Sequence, residues 1–103
     1  MQEDEVSKDD QLDIPDTAVE DPNSFEIIRV WVAKKGQHVS LKPGLWDDPA
    51  YYGVMLADLA GHIANSYTQT VGYDRAKTLM RVKAGFDAEF KSPTDTPTGR
   101  ITR

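Results

Sequence analysis

The stretch Phe25-Glu26-Ile27-Ile28-Arg29-Val30-Trp31-Val32-Ala33, then Lys34-Lys35-Gly36, then Gln37-His38-Val39-Ser40-Leu41-Lys42 reads as a β-hairpin. The first segment is dense in β-branched and aromatic residues and is bounded by turn formers on both sides. Its alternate faces are Phe25, Ile27, Arg29, Trp31 and Glu26, Ile28, Val30, Val32. Neither is cleanly polar, and a strand apolar on both sides calls for cover on both. Lys34-Lys35-Gly36 predicts a three-residue loop in which Gly36 takes the positive φ. The return segment alternates cleanly, with Val39 and Leu41 on one side and His38, Ser40 and Lys42 on the other. Two strands alone are marginal in water, so other elements must support them.

Pro43-Gly44 ends the hairpin, and Asp47-Asp48-Pro49 starts a helix. Proline suits the first helical position, where no amide hydrogen is needed, and Asp48 can cap the free amides. Leu45 or Trp46 is placed to pack back onto Tyr52. The helix is predicted from about Pro49 to Tyr67, with Tyr52, Met55, Leu56, Leu59, Ile63 and Tyr67 forming an apolar stripe. Gly53, Ala57, Ala60, Gly61 and Ala64 flank it and permit another backbone to come close. A second helix follows from about Asp74, its cap, to Phe90. Its stripe is Ala76, Leu79, Val82, Phe86 and Phe90, with Met80 at the edge.

The fold class is therefore α+β, a β-hairpin followed by two α-helices (ββαα), occupying residues 25–90 of a 103-residue, 11.5 kDa chain. On either side the composition changes. Residues 1–24 hold nine acids against Lys8, a net of −8, and with Pro15 and Pro22 they read as a disordered acidic arm. Residues 91–103 hold two prolines and four threonines and read as a disordered tail. The middle carries eight basic and seven acidic residues and all nine aromatics. A domain of that size rarely gains more than about 3–5 kcal/mol from one core, which argues for a homodimer. Either the hairpins pair at their edges or the first helices pack together.

Several function classes lose their support at this level. There is no cysteine, which removes disulfides, thiolate metal sites and cysteine catalysis. The acidic N-terminus is not the pattern of a signal or transit peptide. The stretch from Ala50 to Ala64 is interrupted by Asp58 and His62 and is too short to span a bilayer. The expectation is a cytoplasmic protein without membrane contact. Phosphate-binding glycine loops, a serine elbow and a His-Glu-x-x-His motif are absent. No cofactor is implied.

The run Glu26 to Ala33, then Val39-Ser40-Leu41-Lys42-Pro43-Gly44-Leu45-Trp46, Asp48-Pro49 and Leu56-Ala57-Asp58-Leu59-Ala60 resembles a set of bacterial proteins of about this length. They are classed as a domain of unknown function. Arg81 to Phe90 closes the match, which covers residues 25–90. The resemblance implies a bacterial, cytoplasmic, single-domain protein and brings no activity or site residue.

Among chemistry-bearing residues, His62 follows Asp58 by one helical turn, but zinc needs three or four ligands and no third is in view. A surface pair is the simpler reading, and no metal site is assigned. His38 sits on the polar strand face without a sequence-local partner. Arg75, Lys77, Arg81 and Lys83 mark the second helix, yet only Lys77 and Arg81 share a face, which describes a solvated surface and argues against nucleic acid. Trp31, Trp46 and Tyr51 are the candidate ligand- or partner-binding residues, set against their ordinary role as core. No residue is assigned as catalytic. The expected function is a non-enzymatic protein–protein interaction module acting as a homodimer, with an unknown further protein partner left open. The alternative is a small-molecule-binding or enzymatic domain with an aromatic pocket between hairpin and helices. A further expectation is that the acidic arm screens the basic second helix.

Overall fold

A computed structural model describes residues 10–94 and, as backbone only, 98–101. The order of elements is α1 (Asp16–Glu20), β1 (Ile28–Ala33), β2 (Gly36–Leu41), α2 (Ala50–Val71), α3 (Arg75–Lys91) and β3 (Thr98–Ile101). The hairpin followed by two helices is the ββαα architecture expected from the sequence. No described helix is long and apolar enough to cross a membrane.

β1 and β2 pair antiparallel from Ile28↔Leu41 to Ala33↔Gly36. One further bond, from Lys42 N–H to the Ile27 carbonyl at 2.9 Å, extends the pairing beyond the strand ends. The loop differs from the expectation. It holds two residues, and positive φ falls on Lys34 (51°) and Lys35 (62°), not on Gly36. Two consecutive left-handed residues match the right-handed twist of the strands they join, so the hairpin geometry prevails over the preference of lysine for negative φ.

Two short elements lie in stretches read as disordered from composition. α1 is a single turn in the arm, closed by the Ser24 hydroxyl, which donates to the carbonyls of Ala18 (2.6 Å) and Asp21 (2.8 Å). β3 adds to the free edge of β2, parallel to it, giving the sheet order β1-β2-β3. The return from β2 to β3 runs through both helices, the crossover that a parallel neighbour requires. A composition window sees only the threonines and prolines of this tail. It cannot see the unpaired backbone edge that receives it.

α2 begins where Asp48 Oδ1 accepts from Ala50 N–H at 2.9 Å, so Asp48 is the capping side chain expected. The helix runs one turn past the predicted end at Tyr67. Thr68 and Thr70 return their hydroxyls to the carbonyls four residues earlier (3.2 and 2.8 Å), and Gly72 ends the helix at φ 73°. These hydroxyl bonds occupy the groups that otherwise draw threonine out of a helix. Asp74 caps α3, accepting from Lys77 N–H at 2.9 Å.

α2 and α3 meet near their shared loop. Ala64 is fully buried there and Thr78 nearly so. A Cβ added at Gly61 would lie 3.3 Å from the Arg75 guanidinium, whereas at Gly53 and Gly85 it would meet nothing within 4 Å. The small-residue flank of α2 is thus used by α3 only toward the loop. No Cα of the sheet lies within 8 Å of a Cα in either helix among the described residues. The cover that β1 calls for is partial: Arg29 and Trp31 on one face and Ile28 on the other are half-buried, while Val30 is 50 % and Val32 80 % exposed.

Candidate functional site

Trp46, in the connector between sheet and helices, is the centre of an aromatic cluster. Its ring lies 4.9 Å from Tyr52, edge to face, and 6.0 Å from Tyr51, tilted by 37°. Edge-to-face contacts of this kind set the positive rim of one ring against the negative face of the other. The Tyr52 hydroxyl donates to the Lys42 carbonyl at 3.3 Å, tying the end of the hairpin to the start of α2. Of the three candidates, Trp46 and Tyr51 come together. Trp31 stands on β1 opposite His38, and no ring contact joins it to the cluster among the described residues.

The histidines are also placed. His38 has a partner after all: its Nε2 lies 3.0 Å from the Ala33 carbonyl, which fixes the proton on that nitrogen. The hairpin loop brings the two together. His62 and Asp58 are exposed and form no hydrogen bond or ion pair with each other. Among the described residues no group of three His, Cys, Asp or Glu side chains is positioned for a metal.

A groove of about 600 Å³ opens between α2 and α3, lined by Ile63 and Tyr67 on one side and Lys77, Arg81 and Val82 on the other. Tyr73, in the loop, stacks on Tyr67 with centroids 5.8 Å apart. Lys77 and Arg81 form no ion pair among the described residues. The chemistry here is apolar and aromatic walls with two cations, Lys77 and Arg81, and one carboxylate, Asp74, at the α3 start. From sequence, Ile63 and Tyr67 were a core stripe, Lys77 and Arg81 a solvated face. Only the antiparallel return through Gly72 puts them side by side. The one available signal was that Lys77 and Arg81 recur at a spacing of four beside an apolar stripe. A second, smaller groove of about 150 Å³ lies at the open end of the hairpin. There Arg29 donates to Glu26 at 3.1 Å, and the Lys42 ammonium sits 5.1 Å from the centre of the Phe25 ring.

A family model described as "Domain of unknown function (DUF5076)" matches residues 11–94. The chain belongs to this family. The DUF5076 match takes in the second half of the acidic arm as well as the hairpin and both helices, and stops before β3. The arm is therefore part of what the family model recognises, farther than the likeness over residues 25–90 reached. The chain is also similar to a solved structure described as a "putative pyruvate dehydrogenase from the photosynthetic bacterium Rhodopseudomonas palustrus CGA009". The two share 28 % identity and a TM-score of 0.73, over 95 % of this chain and 100 % of the other. No curated protein matches.

Proposed function

We propose that this DUF5076 protein is a non-enzymatic protein–protein interaction module that acts as a homodimer. One observation carries the reading: Ala64 is the only apolar residue buried among the described residues, and no large side chain is fully buried. Large apolar residues that a globular monomer hides are instead exposed, Leu56, Leu59, Ile63 and Tyr67 by 42–46 % each. Exposed apolar surface of this extent marks an interaction surface. Size-exclusion chromatography with light scattering tests it. The expected mass is twice the 11.5 kDa of one chain; a monomer at high micromolar concentration removes the proposal.

The groove supports a second reading, a site for a small carboxylate over Tyr67 and Tyr73 with Lys77 and Arg81 as its cations. Pyruvate is the first ligand to try, given the description of the Rhodopseudomonas relative. A rise in melting temperature with pyruvate that disappears in Lys77→Ala/Arg81→Ala supports a site; no rise sets it aside.

A further inference from the structure

The register of the hairpin fixes which backbone groups of β1 are already used. Lys42 N–H bonds to the Ile27 carbonyl, so Ile27 and Lys42 form a hydrogen-bonded pair. Such pairs alternate along an antiparallel ladder. Arg29, Trp31 and Ala33 are therefore the β1 residues bonded to Ser40, His38 and Gly36. Ile28, Val30 and Val32 turn their N–H and C=O groups away from β2. Since β2 lies between β1 and β3, this outer row is a sheet edge. Among the described residues no backbone hydrogen bond outside the hairpin ladder reaches it.

Natural sheets blunt an open edge with proline, lysine or a bulge. β1 has no proline or lysine, and its register runs without a bulge. Its one charge, Arg29, is held by Glu26 of its own chain at 3.1 Å. The three edge residues are β-branched and uncharged, and Val30 and Val32 stand among the exposed apolar residues. The other edge of the hairpin, on β2, is already taken by β3.

Resting on the homodimer reading, we infer that β1 pairs antiparallel with β1 of a second copy, about a two-fold axis at Val30. The contact is the same patch on both copies, and main-chain hydrogen bonds join the two sheets into one. This register sets Ile28 opposite the second copy's Val32, and Val30 opposite its own counterpart. Every outward donor and acceptor of the row then finds a partner. On the other face Arg29 comes opposite Trp31, a cation beside an aromatic ring. Centring the pair on Arg29 sets two guanidinium groups against each other and leaves Val32 without a partner on β1. Centring it on Trp31 leaves Ile28 without one. A slip by one residue brings used groups against free ones. Past the strand ends, the register at Val30 carries Glu26 toward the Lys34-Lys35 loop of the second copy, acid against base. β1 is thus complementary to itself in backbone and in charge, which selects a second copy as the occupant.

Hydrogen exchange on the full chain tests the pairing. Where the chain is dimeric, the amides of Ile28, Val30 and Val32 should be protected, and dilution to monomer should speed their exchange by roughly 10-fold or more. The amides of Arg29 and Trp31, bonded to β2, should change less. In a mixture of isotope-labelled and unlabelled chains, Arg29 and Trp31 should show a contact between their Hα protons across copies, because pairs without mutual hydrogen bonds lie closest. Val30→Pro removes an outward amide that the hairpin does not use, a change edge strands tolerate. It should weaken dimerisation by roughly 100-fold or more. Leu59→Asp, at an exposed position on α2, should leave dimerisation unchanged. A dimer whose Ile28, Val30 and Val32 amides exchange freely overturns the edge pairing while the homodimer stands, whether or not Val30→Pro folds. So does a dimer that Leu59→Asp dissociates and Val30→Pro does not. A wild-type chain that is monomeric by light scattering overturns both.

Discussion

The helical pair and the sheet are held together in different ways. Each helix closes its own hydrogen bonds and finishes its ends locally: the Asp48 and Asp74 side chains at the starts, the Gly72 backbone donating to the Thr68 carbonyl at the end of α2, and the Thr68 and Thr70 hydroxyls along its last turns. The sheet depends on residues far apart in sequence, with β3 arriving only after both helices. Its loop holds two lysines in a left-handed conformation, and on one apolar face Val30 and Val32 stay exposed. The comparison teaches that local satisfaction and burial are separate matters. The helices achieve the first, and neither part achieves the second except at Ala64 and Thr78.

The largest test breaks the one place where the helices are tightly joined. Ala64→Leu forces three more carbons into a fully buried position and should cost about 1–3 kcal/mol in urea unfolding. A loss near zero means that the helices do not depend on that contact. Removing a cap comes next. Asp74→Ala takes away the acceptor of the Lys77 amide and should cost about 1 kcal/mol, read in the same way.

On the sheet side the expected change is a gain. Lys34→Asn with Lys35→Gly supplies the residues that a two-residue loop of this hand prefers, and should stabilise by up to about 1 kcal/mol. Unaltered or lowered stability counts against the left-handed geometry of that loop. Gly53→Ala should also stabilise, by roughly 0.5–1 kcal/mol, because its added methyl meets nothing within 4 Å in the chain. If that methyl instead destabilises the protein, something outside the chain approaches α2 there. The smallest effect belongs to the exposed pair Lys83–Asp87 at 2.7 Å; Asp87→Ala should cost less than about 0.5 kcal/mol and less still in high salt.

The sequence alone determined what depends on neighbours within a few positions. The period of two in Gln37 to Lys42, the stripes of α2 and α3, the caps Asp48 and Asp74 and the packing of Trp46 on Tyr52 all follow from local sterics and hydrogen bonding. Those elements were legible for that reason. Where local signals compete, the reading failed: Gly36 looked like the positive-φ residue because glycine prefers it, but strand register assigns that conformation to Lys34 and Lys35. The candidate site divided on the same line. Trp46 and Tyr51 are five residues apart, so their meeting could be anticipated; Trp31 is placed by the sheet, and no ring contact joins it to them among the described residues. Tertiary structure alone decided that β3 completes the sheet, that Tyr67 and Tyr73 share a groove with Lys77 and Arg81, and that Val30, Val32, Leu56 and Leu59 are left exposed. A hydrophobic pattern says that a face must be buried. It carries no record of which surface does the burying, because burial is non-directional and any apolar surface of matching shape satisfies it.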